Sequence, residues 1–260
     1  MMLPTYIANF ILKGKLNKDP ALLIELSYKK PDFNLEQIDA INRINRLIDD
    51  KKQNIIIDGV TGSGKTEVYL SAMSKILEND KSTQILILLP EISLTSQIAD
   101  RIYKRFNYSP LEWHSSVSDK KKRDCFVKIF SGEARIIIGA RSALFLPYKN
   151  LKMIIVDEEH EQSYKQEDGV NYQARDMAIM RAKLGSIPVL LASASPSLES
   201  IYNVSNDKLS LVSLIGRYND QEMPKIHIID MKKEKRKNYF IAPSFITSLK
   251  ENLLKEQQSL

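Results

Sequence analysis

The sequence is poor in the residues that staple small folds together. Cys125 is its single cysteine, which excludes a disulfide framework and any zinc site made from this chain's own thiolates. No apolar run approaches the length needed to cross a bilayer, so no membrane partner is expected. Residues 1–12 are apolar in part, but Pro4 and Asn9 interrupt them and no small-residue cleavage site follows. No secretory leader is therefore expected, and the cytoplasm is the expected compartment. Internal repeats and low-complexity tracts are lacking too. The excess of one charge sign is small: 38 Lys and Arg against 32 Asp and Glu leave +6. That mild basicity permits a polyanionic partner without requiring one. With 43% hydrophobic residues in 260 positions there is ample material for one large domain or two small ones.

What the sequence does contain is concentrated in residues 54–69. Ile55, Ile56 and Ile57 read as a buried strand, and helix-forming residues begin just after Lys65. Between them lies Gly59-Val60-Thr61-Gly62-Ser63-Gly64-Lys65-Thr66, the P-loop spacing in its strand–loop–helix context. Glycines at 59, 62 and 64 let the backbone wrap so that its N–H groups and a helix N-terminus face a polyphosphate. Lys65 adds a point charge for the β- and γ-phosphates, and the Thr66 hydroxyl can ligate Mg²⁺. This pattern predicts binding of a nucleoside triphosphate.

Around that loop the chain alternates strands and helices. Asn34 is a plausible N-cap for an amphipathic helix carrying Ile38, Ile41, Ile44 and Ile48. Further strands are expected at residues 85–89, 135–138, 153–156 and 188–192. Helices are expected at 95–106, 119–130, 174–184 and 196–204. Continuous apolar strands between amphipathic helices imply an α/β fold, a mostly parallel sheet covered on both faces, and with the P-loop a RecA-like domain. Residues 1–33, punctuated by Gly14, Pro20 and Pro31, read as the remnant of an N-terminal domain plus linker; 34–215 read as the nucleotide-binding lobe. Residues 216–260 read as the start of a further region, with a strand near 223–229, a charge run at 232–237 and a helix at 244–255.

A second cluster, Asp157-Glu158-Glu159-His160, follows the apolar run 153–156. Acidic residues at the C-terminal end of a buried strand lie where ligands of open α/β sheets bind. Asp157 is positioned to hold Mg²⁺, and Glu158 to orient and deprotonate an attacking water. His160 joins them as a catalytic candidate, although a lone histidine is more often an ordinary surface residue. Downstream, Tyr164, Tyr172 and Arg175 suit either base stacking and phosphate pairing or packing beneath their own loop. The basic run 120–123 opens a helix whose Cys125, Phe126, Ile129 and Phe130 are expected to face the core, and it reads as a solvated face rather than a DNA site. The run 232–237 reads either way, or as a flexible basic loop.

These residues carry a resemblance. Asp157-Glu158-Glu159-His160 is a DExH box, and with Gly59–Thr66 the chain resembles helicase superfamily 2. More narrowly, it is similar to the bacterial primosomal, replication-restart helicases. The shared phrases include Asp58-Gly-Val-Thr-Gly-Ser-Gly-Lys-Thr-Glu-Val-Tyr69, Leu89-Pro-Glu-Ile-Ser-Leu-Thr95 and His114-Ser115. They continue through Gly139-Ala-Arg-Ser-Ala-Leu-Phe145, the stretch after Ile154, Tyr172-Gln-Ala-Arg-Asp176 and Ser193-Ala-Ser-Pro-Ser-Leu-Glu-Ser200. The resemblance implies ATP and Mg²⁺ as cofactors and 3′→5′ translocation on single-stranded DNA. It further implies forked DNA, primosome proteins and single-strand-binding proteins as partners. Residue by residue, it makes Gln37 the adenine reader. Pro90, Glu91 and Thr95, with Arg141 and Ser142, become DNA-backbone contacts. Tyr164, Tyr172 and Arg175 fall in an aromatic-rich loop that joins DNA contact to hydrolysis. Ser193 and Ser195 become coupling residues, where the family usually writes Ser-Ala-Thr. The family also carries a second RecA-like lobe with an arginine finger, and a zinc insertion. None of these is found in the sequence, so no zinc is expected here and the chain reads as one lobe with short flanks.

Overall fold

The apolar runs become the strands of one parallel sheet because each is long enough to cross it and too apolar to lie on a surface. The computed structural model describes residues 27–29, 31–90, 93–216, 228–232 and 241–255. In chain order the first unit contains α1 (Leu35–Asp49), β1 (Asn54–Gly59), α2 (Lys65–Asn79), β2 (Gln84–Leu88), α3 (Ser93–Phe106) and β3 (Leu111–Trp113). Then come α4 (Asp119–Ser131), β4 (Ile136–Gly139), a 3₁₀ turn (Arg141–Phe145), β5 (Leu151–Asp157) and a second 3₁₀ turn (Gln162–Tyr164). A small antiparallel hairpin, β6 (Lys165–Gln166) with β7 (Tyr172–Gln173), precedes α5 (Ala174–Gly185), β8 (Val189–Ser193), α6 (Leu198–Ser205) and β9 (Ser210–Leu214). The chain divides into two units, Met1–Asp220 and Gln221–Leu260. Within the second, α7 (Pro243–Leu254) starts with proline in its first turn, where a missing N–H costs nothing.

Seven strands line up in the order β3-β4-β2-β5-β8-β1-β9. Every neighbouring pair in this sheet is parallel, so all C-terminal ends share one edge. Side chains alternate between the faces, as the two-residue strand period requires. Ile55, Ile57, Ile85, Ile87, Ile155 and Leu190 join the core beneath α1, α2 and α3. Ile56, Leu86, Ile154, Val156 and Leu191 join a second core with Phe126 and Ile129 of α4 and Ala178 and Ala182 of α5. Each fully buried aliphatic side chain contributes about 1.5–3 kcal/mol, which is why the sheet needs both layers.

Three expectations change. β3 and β9 are additional strands; both lie at the sheet's edges, where half-polar segments such as Ser-Leu-Val-Ser-Leu suffice and no continuous apolar run is needed. On α1, Ile38 is 42% exposed whereas Gln37 is 2% exposed, so a glutamine takes the buried position that periodicity gave to isoleucine. On α4, Phe126 and Ile129 are buried but Phe130 is 37% exposed, because one residue past Ile129 turns about 100° away from the core. The polypeptide just before Asn34 also packs on the lobe: Ser27 and Lys29 N–H groups donate to Phe106 O and Arg105 O, and the Tyr28 ring meets Phe106 edge-on. Residues 1–26, Glu91, most of the strand expected near 223–229 and most of the run 232–237 lie outside the described residues. Among the described residues no helix is long and apolar enough to cross a membrane.

Candidate functional site

The P-loop joins the C-terminal end of β1 to the first turn of α2. Gly59 is obligatory by proximity: a Cβ there would stand 2.6 Å from Ser63 Oγ and 2.9 Å from Leu214 Cβ of β9. Gly64 is obligatory twice, with φ at +87° and an imaginary Cβ that would overlap Gln37 Nε2. Val60, Thr61 and Gly62 form the exposed crest of the loop, and Ser63 is buried beneath it. Lys65 is 7% exposed, and its Nζ donates to Gly59 O at 2.7 Å. Thr66 follows at the helix start, half-buried.

Gln37, the adenine reader that the resemblance implies, is tied to the P-loop. Its Nε2 donates to Ser63 O at 3.0 Å, and its Oε1 accepts the Asn34 N–H in a capping box. The side chain therefore braces the P-loop, with one amide function on Ser63 O and the other on Asn34 N–H. Burial makes these bonds matter, since a buried amide left unpaired costs about 1–3 kcal/mol.

Across the edge, β8 separates β1 from β5, so the P-loop and the acidic cluster face each other over one intervening strand. Asp157 is 9% exposed; Tyr69 Oη donates to its Oδ2 at 3.0 Å, and Glu158 N–H donates to its Oδ1 at 3.1 Å. Burial, then the Glu158 charge, pushes the Asp157 carboxyl up to about 6, against the weaker pull of the Tyr69 bond and of Lys65. Glu158 has a φ of +47°, a left-handed backbone that costs a non-glycine residue about 1 kcal/mol or more and is found at functional turns. Pro31, Asp32, Phe33, Gln37, Glu67 and Arg101 line one cleft of about 450 Å³ with Thr61, Gly62, Gly64, Lys65, Thr66, Asp157 and Glu158. Two acidic groups facing one lysine, with Thr66 beside them, form a donor set suited to Mg²⁺, which favours one or two protein oxygens plus phosphates. Ser63 Oγ is buried without a hydrogen-bond partner among the described residues.

Sequence reasoning missed Tyr69, Glu67, Phe33 and Arg101. Glu67 pairs with Arg105 at 3.0 Å and Arg101 at 3.7 Å, and the Arg105 guanidinium lies 5.6 Å from the Phe33 ring centroid. Only the helical step from Thr66 to Tyr69 was available as a signal. Glu159 was missed as well. It is wholly buried and accepts from Arg175 Nη1 at 3.1 Å, Ser197 N–H at 2.8 Å and Ser197 Oγ at 3.0 Å.

The remaining candidates fall into separate places. His160 Nδ1 and Ser193 Oγ are hydrogen-bonded at 2.7 Å, and Ser195 N–H donates to the same hydroxyl at 3.0 Å. Ser193 is buried and Ser195 exposed, so the acidic cluster and the end of β8 meet through one hydroxyl. Tyr164 is corrected: it is 0% exposed, and its Oη donates to Asp157 O at 2.6 Å and Leu88 O at 3.0 Å. A ring with no exposed face cannot stack on a base. Arg175 is likewise corrected: at 5% exposure its guanidinium is engaged by Glu159, Asp176 and Ser197, so it pairs with the protein instead of a phosphate. Thr95, 4% exposed, is also interior, while Pro90 is half-buried. Arg141 donates to Lys165 O, Ser142 Oγ accepts from the Trp113 indole at 3.1 Å, and Tyr172 meets Phe145 edge-on at 5.2 Å. The 3₁₀ turn after β4 and the β6–β7 hairpin are thus joined.

Comparison with known proteins adds the following. Residues 34–204 match the family described as DEAD/DEAH box helicase. The replication restart protein PriA of Rickettsia felis is 42% identical over 261 residues, covering 100% of this chain and 39% of its own. That of Bacillus subtilis is 41% identical, covering 86% of this chain and 28% of its own. The chain therefore spans well under half the length of these relatives. Among solved structures, the DUF1998 helicase MrfA bound to DNA and AMPPNP superposes with a TM-score of 0.51 at 17% identity, over 78% of this chain and 33% of that one. This last likeness concerns the fold alone.

Proposed function

Because the chain belongs to the DEAD/DEAH box helicase family, we propose that it is the ATP-binding lobe of a PriA-type DNA helicase. In that role it couples ATP hydrolysis to 3′→5′ translocation on single-stranded DNA during replication restart and primosome assembly. The observation that supports this best is the meeting of P-loop and acidic cluster in one cleft, with Lys65, Thr66, Asp157 and Glu158 on its walls. Forked DNA, primosome proteins and single-strand-binding proteins are the partners that the PriA relatives suggest.

The P-loop amides and Lys65 hold the polyphosphate, the latter as a point charge at the β- and γ-positions. Thr66 and Asp157 offer oxygen ligands to Mg²⁺, which when bound supplies charge neutralisation across those phosphates. Glu158, on its left-handed turn, orients the attacking water and takes its proton. His160 reads the state of this end through Ser193, whose hydroxyl also holds Ser195. Arg141, Ser142, Pro90 and Tyr172 form the proposed DNA-facing group, with Glu91 proposed from resemblance alone. Described residues supply one RecA-like lobe, and a second contributes the arginines that stabilise the charge developing on the γ-phosphoryl group.

The test is single-strand-stimulated ATPase on residues 1–260, beside a version extended through a second lobe. The short chain is expected to bind Mg-ATP and turn it over very slowly. The extended one should gain about 10³–10⁵ in rate, as an arginine finger supplies in related enzymes. Glu158→Gln should abolish that gain and leave nucleotide binding intact. Failure of the short chain to bind Mg-ATP, or an extended chain indifferent to DNA, would overturn the reading.

A further inference from the structure

Tyr69 has no place in the roles above, yet it touches the metal-binding side of the cleft. It lies on α2 one turn after the P-loop, at helical spacing from both Lys65 and Thr66. Its side chain is 0% exposed, a large aromatic residue in the core beneath α2 with a polar tip that needs a partner. That tip donates to Asp157 Oδ2 at 3.0 Å. Thr66, the proposed Mg²⁺ ligand of the P-loop, precedes Tyr69 by three residues on the same helix. One buried hydroxyl therefore ties the helix that carries Thr66, α2, to the end of β5.

We propose that Tyr69 is a positioning residue for the Mg²⁺ site: its phenol fixes the Asp157 carboxylate and registers it against α2, the helix that carries Thr66. This rests on the nucleotide-binding reading given above. The geometry has a specific consequence. With Oδ1 held by Glu158 N–H and Oδ2 by Tyr69 Oη, the carboxylate has one rotamer and still keeps lone pairs for a cation. Outer-sphere partners of this kind act on metal affinity, because they set the direction of the ligand's lone pairs before the ion arrives. They make little difference to the phosphate contacts of the P-loop backbone, which do not involve this carboxylate.

The experiment is ATP titration by calorimetry of the 260-residue chain and of Tyr69→Phe, first in EDTA and then across a Mg²⁺ series. Phenylalanine keeps the ring in the core and removes only the hydroxyl. The variant should bind metal-free ATP within about twofold of the parent, while its half-saturating Mg²⁺ concentration rises about tenfold or more. An unchanged Mg²⁺ midpoint would overturn the proposal. Equal loss of ATP affinity in EDTA and in Mg²⁺ would also overturn it, since the phenol would then be a structural prop. A parent chain that binds no ATP under either condition would bring down the nucleotide reading itself, an outcome distinct from both.

Discussion

Three consecutive carboxylates, Asp157, Glu158 and Glu159, leave the same strand and meet opposite fates. Asp157 and Glu158 sit on the cleft side, where their mutual repulsion and the burial of Asp157 are only partly offset by Lys65 and Tyr69. Glu159 turns the other way, is fully buried, and is surrounded by Arg175, Ser197 N–H and Ser197 Oγ. On one side the fold retains unneutralised charge that suits a cation and a phosphate. On the other the charge is completed by protein and becomes scaffold, tying β5 to the starts of α5 and α6. A buried charge is tolerable in either form, but only the first leaves chemistry to be done.

The contrast can be broken most forcefully on the scaffold side. Arg175→Ala strands the Glu159 carboxylate in the interior and should destabilise the lobe by about 3–5 kcal/mol. Replacing Glu159 by Gln in the same chain should recover part of that loss. Chemical denaturation of the single and double variants measures both, and a single variant with unchanged stability would show that Glu159 is not held by this pair.

The cleft side should respond with the opposite sign. Asp157 binds its proton more tightly folded than unfolded, so its contribution to stability is greatest in acid and falls as pH rises from about 4 to about 6. Without nucleotide, Asp157→Asn should therefore gain stability over the parent on going from pH 4 to pH 7, by about 3 kcal/mol at most. Thermal melts across that range check it, and parallel curves for the two proteins would show that burial and the Glu158 charge do not raise the Asp157 carboxyl.

A smaller effect belongs to the cation. Lys65→Ala should weaken Mg-ATP binding by about 1.5–3 kcal/mol through loss of a charge-assisted contact. Equal calorimetric affinities would take Lys65 out of the site. The smallest effect concerns DNA. Arg141, half-buried beside the β6–β7 hairpin, should contribute about 1 kcal/mol of salt-dependent single-strand affinity, more than Lys121 on α4. Fluorescence anisotropy of Arg141→Ala and Lys121→Ala ranks them, and the reverse order would move the DNA path onto α4.

Local patterns in the sequence determined the P-loop, the strand that precedes it, the acidic cluster and the parallel α/β architecture. Each is a contiguous stretch whose spacing is dictated by backbone geometry: a phosphate cradle needs its glycines in order, and a doubly covered strand must be apolar throughout. Edge strands β3 and β9 escaped because a segment covered less completely carries a weaker pattern. Side-chain fates were decided only in three dimensions. Nothing in the order Asp-Glu-Glu says that the third carboxylate will find Arg175, since that depends on α5 and α6 starting beside the end of β5. Tyr164 and Tyr172 read alike in one dimension, yet the first is sealed under the acidic turn while the second stays half-exposed on the hairpin. Tyr69 looked like any helix aromatic until folding brought Asp157, from a distant strand, to 3.0 Å from its hydroxyl. Burial and partner choice are properties of packing between elements distant in sequence, and local patterning does not encode them.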